Sequence, residues 1–322
     1  MFNDAINKRV VVQMTDKILM IRPVSFGYNE QTAVSNHYQK LLTNISSKDI
    51  QTKALTEFDD FVTILKNSGV NVIVIEDTKE PHTPDSIFPN NWLSFHSDGS
   101  ICIYPMYAKN RRLERREDIF DTLADNYDIH IEVIKYFTDF ENHNKYLEGT
   151  GSMVLDRENK ICYAAISVRT DEVAVLRFCE ELDYQPVCFT AKQDVNEERM
   201  AIYHTNVMMC VADKFVVICL EAIDDKSERE HVVRKITDTN KEIIEITQEQ
   251  KHSFAGNMLQ VMGDKPYLVM SRSAFSSLTD QQKSLIEKYC SIIYSSLDTI
   301  EASGGGSARC MMAEVFLPKK LI

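Results

Sequence analysis

Four times along this chain, two short apolar strands joined by a tight polar turn are followed by a helical stretch and one more strand. A supersecondary unit recurring at near-constant spacing marks a repeat architecture, because each unit buries its apolar face only against its neighbours. The hairpins are read over 92–104 about Ser97-Asp98-Gly99-Ser100, and over 153–155 and 161–166 about the turn 156–159. Two more lie over 207–211 and 215–220 about Ala212-Asp213-Lys214, and over 258–262 and 267–270 about Gly263-Asp264-Lys265. Helices are predicted at about 111–126, at 171–182 with Thr170 as N-cap, from the capping-box pattern Ser227-Glu228-Arg229-Glu230, and at 279–289. The closing strands are 129–134, 186–189, 242–246 and 292–294.

A fifth unit is divided between the ends of the chain. Lys17-Ile18-Leu19-Met20-Ile21-Arg22 is a short apolar strand stopped by Pro23, with helices expected near 31–45 and 51–68 and a β-branched strand at 70–75. The apolar run 311–317 supplies the missing hairpin strand. The expected fold is an α/β ring of five ββαβ units in one domain, 1–322, closed by pairing strand 18–22 with strand 311–317.

The polar residues just ahead of each hairpin are Asp85, Glu148, His204, Asn257 and Cys310, separated by 63, 56, 53 and 53 residues. At one structural position per unit they would converge on the ring axis, where a thiol, an imidazole and a carboxylate form a nucleophile, a base and an orienting acid. Cys310 follows Gly304-Gly305-Gly306, which lets the backbone pass close to a ligand, and stands beside Arg309, a cation that would favour a thiolate. Taken singly, each residue also has an ordinary structural reading. Cys310 can be a core cysteine, His204 a satisfied core histidine, Glu148 a turn residue, and Arg111 the wet face of a helix.

Composition narrows the function classes. The formal net charge is -12 and the pI about 5.2, which argues against nucleic acid as a partner. No apolar run reaches membrane-spanning length and residues 1–16 lack a signal-peptide core, so a cytoplasmic protein is expected. None of the eight cysteines (102, 162, 179, 188, 210, 219, 290 and 310) forms a Cys-x-x-Cys pair, so no zinc site is expected. Seven of them read as small core hydrophobes.

Four motifs, in order and on the repeat, resemble the guanidine-modifying superfamily of arginine deiminases, dimethylarginine dimethylaminohydrolases and amidinotransferases. They are Pro84-Asp85-Ser86-Ile87-Phe88-Pro89-Asn90-Asn91, Leu147-Glu148-Gly149, Tyr203-His204-Thr205-Asn206 and the loop 304–312. The resemblance spans 18–317 and implies the pentein fold, a five-bladed α/β propeller. It implies Cys310 as nucleophile, His204 as general acid/base and Glu148 as its carboxylate partner. It also implies Asp85 as a substrate contact, and Arg111 and Arg169 as holders of an amino acid's carboxylate. The substrate would be a small amino acid, with no metal or organic cofactor; a homodimer is left open.

Two positions depart from the family pattern. Asn91 and Asn206 stand where the deiminases have aspartates that accept from a guanidinium. A guanidinium only donates and is charged; a ureido group is neutral and also accepts, so two amides suit it better. Citrulline, hydrolysed to ornithine, carbon dioxide and ammonia, is the expected substrate. The alternatives are an arginine dihydrolase, an arginine deiminase or dimethylarginine dimethylaminohydrolase, an amidinotransferase, and a non-enzymatic binding pentein.

Overall fold

The computed structural model describes residues 12–320. The chain opens with β1 (Lys17–Arg22), α1 (Glu30–Ala33), α2 (Ser47–Asn67) and β2 (Asn71–Glu76). A second unit holds β3 (Leu93–Phe95), β4 (Ser100–Ile103), α3 (Asp118–Asn126) and β5 (Val133–Tyr136). A third holds α4 (Gly149–Ser152), β6 (Val154–Asp156), β7 (Ile161–Ala165), α5 (Glu172–Leu182) and β8 (Gln185–Phe189). After a separate hairpin, β9 (Lys192–Val195) and β10 (Glu198–Ala201), the fourth has β11 (Met209–Val211), β12 (Phe215–Ile218), α6 (Lys226–Thr237) and β13 (Glu242–Glu245). The fifth has α7 (Gln248–His252), β14 (Leu259–Met262), β15 (Pro266–Ser271), α8 (Arg272–Ser277), α9 (Asp280–Glu287) and β16 (Ser291–Ser295). It is followed by α10 (Asp298–Gly304) and β17 (Ala313–Glu314).

Five sheets share one design, in which the middle strand pairs antiparallel with one neighbour and parallel with the other. They are β17-β1-β2, β3-β4-β5, β6-β7-β8, β11-β12-β13 and β14-β15-β16. The ends of the described chain meet in the first of these: Ile18 lies opposite Glu314 and Leu19 opposite Ala313, while β1 runs parallel to β2 from Lys17–Asn71 to Arg22–Glu76. The long helix α2 shows how the layers are held. Ser46 caps it by accepting from the Asp49 N–H, and Ile50, Ala54, Phe58, Phe61, Val62 and Leu65 form one buried stripe. That stripe faces β16 and α10. Each fully buried phenylalanine there contributes about 1.5–3 kcal/mol.

Several local expectations are corrected. The helix expected at 31–45 is only the single turn α1, because Asn36, Gln39 and Lys40 bond to backbone at 302–305 instead of continuing it. The stretch 111–126 splits into a 3-10 turn, Lys109–Glu114, and α3. Arg111 and Glu114 are buried there as a pair rather than lying on a wet face. The strand expected at 129–134 starts at Val133, and Ile129 bridges to Lys319. Asp171, not Thr170, caps α5, and Asp225 caps α6 by accepting from Ser227 and Glu228. In both cases a carboxylate one or two residues from the expected cap takes the free N–H groups. The C-terminal strand is the two residues of β17, since Ala308–Met311 form a 3-10 turn. The β9–β10 hairpin and the helices α8 and α10 were not anticipated. Residues 1–11, on which part of the reading of the N-terminus rests, lie outside those described. Among the described residues, no helix is long and apolar enough to cross a membrane.

Candidate active site

Cys310 lies in the 3-10 turn between α10 and β17, 3% exposed, its N–H bonded to Ser307 O at 3.0 Å. The glycines before it are required by close approach. Gly305 has φ +64°, and a Cβ there would meet Asn36 Nδ2 at 2.5 Å. The sulfur accepts from two side-chain amides, Asn257 Nδ2 at 3.3 Å and Asn206 Nδ2 at 3.4 Å. The expectation that Arg309 stands by the thiol as a cation is corrected. Its guanidinium is taken up by Met312 O and the Glu314 carboxylate, both at 2.8 Å, because the turn sends successive side chains in different directions.

His204 enters the 3-10 turn Thr205–Val207 and Glu148 caps the short helix α4, which sets the two face to face. His204 Nε2 lies 2.8 Å from Glu148 Oε2, while Glu148 Oε1 accepts from the Tyr107 N–H at 2.9 Å. Arg169 Nη1 approaches Glu148 Oε2 at 3.5 Å, and its guanidinium lies 5.0 Å from the Tyr203 ring centroid. Gly151 makes the packing possible: a Cβ there would lie 2.4 Å from Asn91 Nδ2 and 2.9 Å from His204 Nδ1. Asn91 Oδ1 accepts from Arg111 Nη1 at 2.7 Å, and Arg111 also pairs with Glu114 at 2.8 Å. Asp85 Oδ2 accepts from Asn29 at 2.7 Å and Thr32 at 3.1 Å, leaving its buried Oδ1 without a partner among the described residues.

Asp85, Asn91, Arg111, Arg169, His204 and Cys310 thus line one cavity. Glu148 is fully buried behind His204, and Asn206 lies against the sulfur with its Oδ1 unpartnered. The cavity measures only about 10 Å³, about the room of one water. Its cover is the segment 29–40. Beyond the Asp85 bonds, Thr32 O and Ser35 Oγ accept from Arg169 at 2.7 and 2.8 Å, and Asn36 donates to Gly305 O at 3.2 Å. A cavity of this size has no room for an amino acid while the segment holds this position. A roomier cavity of about 600 Å³, lined by Met14, Lys17, Asp213 and Phe316 among others, contains none of the cluster. Among the described residues, no group of three or more His, Cys, Asp or Glu is placed to hold a metal ion.

The electrostatics of the His204–Glu148 pair follow from burial and neighbours. Burial alone would raise the Glu148 carboxyl, but the Arg169 guanidinium and the hydrogen bond from His204 outweigh it and hold it at about 2. Burial pushes His204 down to about 4, against the upward pull of Glu148. At neutral pH the pair is therefore an anion and a neutral imidazole. A carboxylate only accepts, so the proton sits on Nε2 and Nδ1 is left as a base. Burial raises Asp85, with Arg111 opposing at 3.8 Å.

Both members of the pair lie below their ordinary values of 4.5 and 6.5, so the unfolded chain binds protons at these groups more readily than the fold does. Stability is fully present above 6.5, falls as the pH drops through about 4 on account of His204, and falls further toward about 2 on account of Glu148. His204→Asn should flatten the upper part of this dependence, by up to about 1.4 kcal/mol per pH unit. Urea unfolding of both proteins at a series of pH values measures it; parallel slopes would contradict the assignment.

The repeat position alone brings Asp85, His204 and Cys310 to the cavity and Glu148 behind it. It also marks Asn257, to which the sequence assigned no role and which the structure places on the sulfur. The cover was missed, because its bonds join residues as far apart as Asn36 and Gly305.

Five ββαβ units with a cysteine, a histidine and a carboxylate at their inner ends define a pentein of the guanidine-modifying superfamily. Residues 22–317 match the family described as N,N dimethylarginine dimethylhydrolase, eukaryotic, and the chain belongs to that family. The name of that family is that of a hydrolase. Among solved structures, the cyanobacterial arginine dihydrolase ArgZ without ligand superposes with a TM-score of 0.72 at 18% identity, covering 94% of this chain and 41% of ArgZ. The chain therefore spans about two fifths of that protein's length. The N-terminal domain of ArgZ bound to substrate gives 0.71 at 18%, covering 95% and 99% of the two chains. Dimethylarginine dimethylaminohydrolase (DDAH) from Pseudomonas aeruginosa in complex with citrulline gives 0.61 at 14%, covering 94% and 99%. At these identities the likeness is one of fold. No curated protein sequence matches the chain.

Proposed function

We propose that this single pentein domain is a cysteine hydrolase acting on the terminal carbon of an arginine-like amino acid, with citrulline cleaved to ornithine, carbon dioxide and ammonia. The observation that carries this reading is charge. At Asn91 the cavity wall has an amide where a guanidinium would need a carboxylate, and its Oδ1 is already engaged by Arg111 at 2.7 Å, while Asn206 turns its amide to the sulfur.

In this reading the Cys310 proton passes to His204 Nδ1 and the sulfur attacks the ureido carbon. The imidazolium, held by Glu148, gives its proton to the departing ornithine amine and leaves a carbamoyl-cysteine. Water, deprotonated by the same nitrogen, releases carbamate, which falls apart to carbon dioxide and ammonia. Arg169 gives up Thr32 and Ser35 when the cover moves and is then free to meet the substrate carboxylate. Arg111 keeps Glu114 and Asn91, and orients the latter.

A second reading, the arginine dihydrolase, is favoured by the open Oδ1 of Asp85, an acceptor for a cationic substrate. Turnover of citrulline, arginine and methylated arginines, with ornithine and citrulline as products, separates the two. Arginine turnover without citrulline turnover contradicts the first. Asn91→Asp should lower the citrulline-to-arginine ratio of kcat/KM about tenfold, since a carboxylate repels the ureido oxygen and attracts a guanidinium. Arg111 limits the effect by partly neutralising the new charge. An unchanged ratio removes Asn91 from substrate selection.

A further inference from the structure

We propose that Asn257 is a catalytic residue that stabilises the Cys310 thiolate by N–H donation, taking the part a cation plays at many reactive cysteines. The proposal rests on the reading of Cys310 as nucleophile. A buried thiolate only accepts hydrogen bonds, and donors aimed at the charged form favour it. The neighbouring cation is not available, because Arg309 is bonded to Met312 O and Glu314. What the sulfur has instead is Asn257 Nδ2 at 3.3 Å, with Asn206 Nδ2 at 3.4 Å.

The orientation of the Asn257 amide is set by its other partner. Its Oδ1 accepts from the Arg309 N–H at 3.0 Å, and a backbone N–H can only donate. The oxygen must face Arg309, so the NH2 group faces the sulfur and Asn206 O, the latter at 3.0 Å. The Asn206 amide is not fixed in this way, since its Oδ1 has no partner among the described residues. Asn257 is also closely packed. It is 1% exposed, its N–H is bonded to Phe254 O at 2.8 Å, and a Cβ on the preceding Gly256 would lie 2.4 Å from Val207 O. The backbone carrying Asn257 is thus pressed against the backbone that follows Asn206. Asn257 holds in its unit the place that Asp85, Glu148, His204 and Cys310 hold in theirs.

The titratable and charged groups around the thiol are His204, Tyr203, Asp85, Arg111 and Arg169 on the cavity walls, and Arg309 with Glu314 behind it. Substitution at 257 changes the side-chain charge of none of these, and of their bonds it touches only that of the Arg309 N–H. The test is thiolate ultraviolet absorbance against pH, taken as the difference between each protein and its Cys310→Ser counterpart, which removes the other cysteines and does not depend on the cover opening. Asn257→Ala should move the midpoint of the difference titration up by about one unit, a tenfold fall in thiolate below the midpoint. Asn257→Asp should move it at least as far, by replacing a donor with an anion, while keeping Oδ1 for Arg309, so it serves where the alanine variant does not fold. A midpoint that stays in place overturns the role of Asn257. A parent protein with no Cys310 thiolate signal overturns the nucleophile reading instead.

Discussion

Replacing Cys310 by serine is expected to lower kcat/KM by at least about 10⁴-fold, the scale on which loss of a covalent nucleophile acts. A serine hydroxyl is not ionised near neutral pH, and His204 Nδ1 is too weak a base to make up the difference. The fold should be unaffected, because the swap nearly conserves volume and the amides of Asn206 and Asn257 can donate to a hydroxyl oxygen as they do to sulfur. The other cysteines cannot substitute. Burial pushes Cys102, Cys188 and Cys210 up to about 12 and Cys219 and Cys290 up to about 11, and none of these lines the cavity. A mass spectrum after reaction with substrate should show one adduct, on Cys310. Activity in the serine variant within tenfold of the parent, with a native melting profile, would falsify the assignment.

The ring was legible because its signals are local. Strand alternation, turn residues and the spacing of one polar residue per unit all lie within a short window, and the apolar runs at both ends implied the closing pair. What was not legible depends on partners far away in the sequence. Segment 29–40 looks helical, but its bonds to 302–305 decide its shape. Arg309 adjoins Cys310 in the chain and turns away from it in space, drawn by Glu314 across the start of β17. The Asn206 position was readable as a departure from a family pattern, but not its direction. Its amide meets the Cys310 sulfur rather than lining the cavity, which leaves Asn91 as the amide on the cavity wall. Asn257 stood at a repeat position, yet an amide has no chemical signature of its own until the sulfur beside it is seen.

Glu148→Gln is expected to cost about 10³- to 10⁴-fold in kcat, by comparison with removal of the charge behind other catalytic histidines. The side chain keeps its shape, so the cause must be electrostatic and tautomeric. Glu148 now accepts on both oxygens, from His204 Nε2 and from the Tyr107 N–H. Glutamine has one acceptor and one donor. If its oxygen stays on Tyr107, its NH2 faces His204, and the imidazole must move its proton from Nε2 to Nδ1. The base that takes the thiol proton is then already protonated. If the amide turns the other way, two donors meet at Tyr107 and the imidazolium formed during reaction still has no anion beside it. Arg169 would also lose the one carboxylate it pairs with among the described residues, in a fully buried site, a cost of several kcal/mol if it were left unpaired. The loss should fall on kcat more than on KM, since the proposed substrate contacts, Asp85 and Asn91, are left unchanged. It should also be non-additive: the double variant Glu148→Gln/His204→Asn should lose far less than the product of the two single losses, because the carboxylate's effect on the thiol runs through the imidazole and only its pairing with Arg169 is separate. The measurements are kcat and KM for the three variants under the same conditions. A fully multiplicative double variant would mean that Glu148 acts on the substrate directly, and the pair would then have to be read as two independent groups.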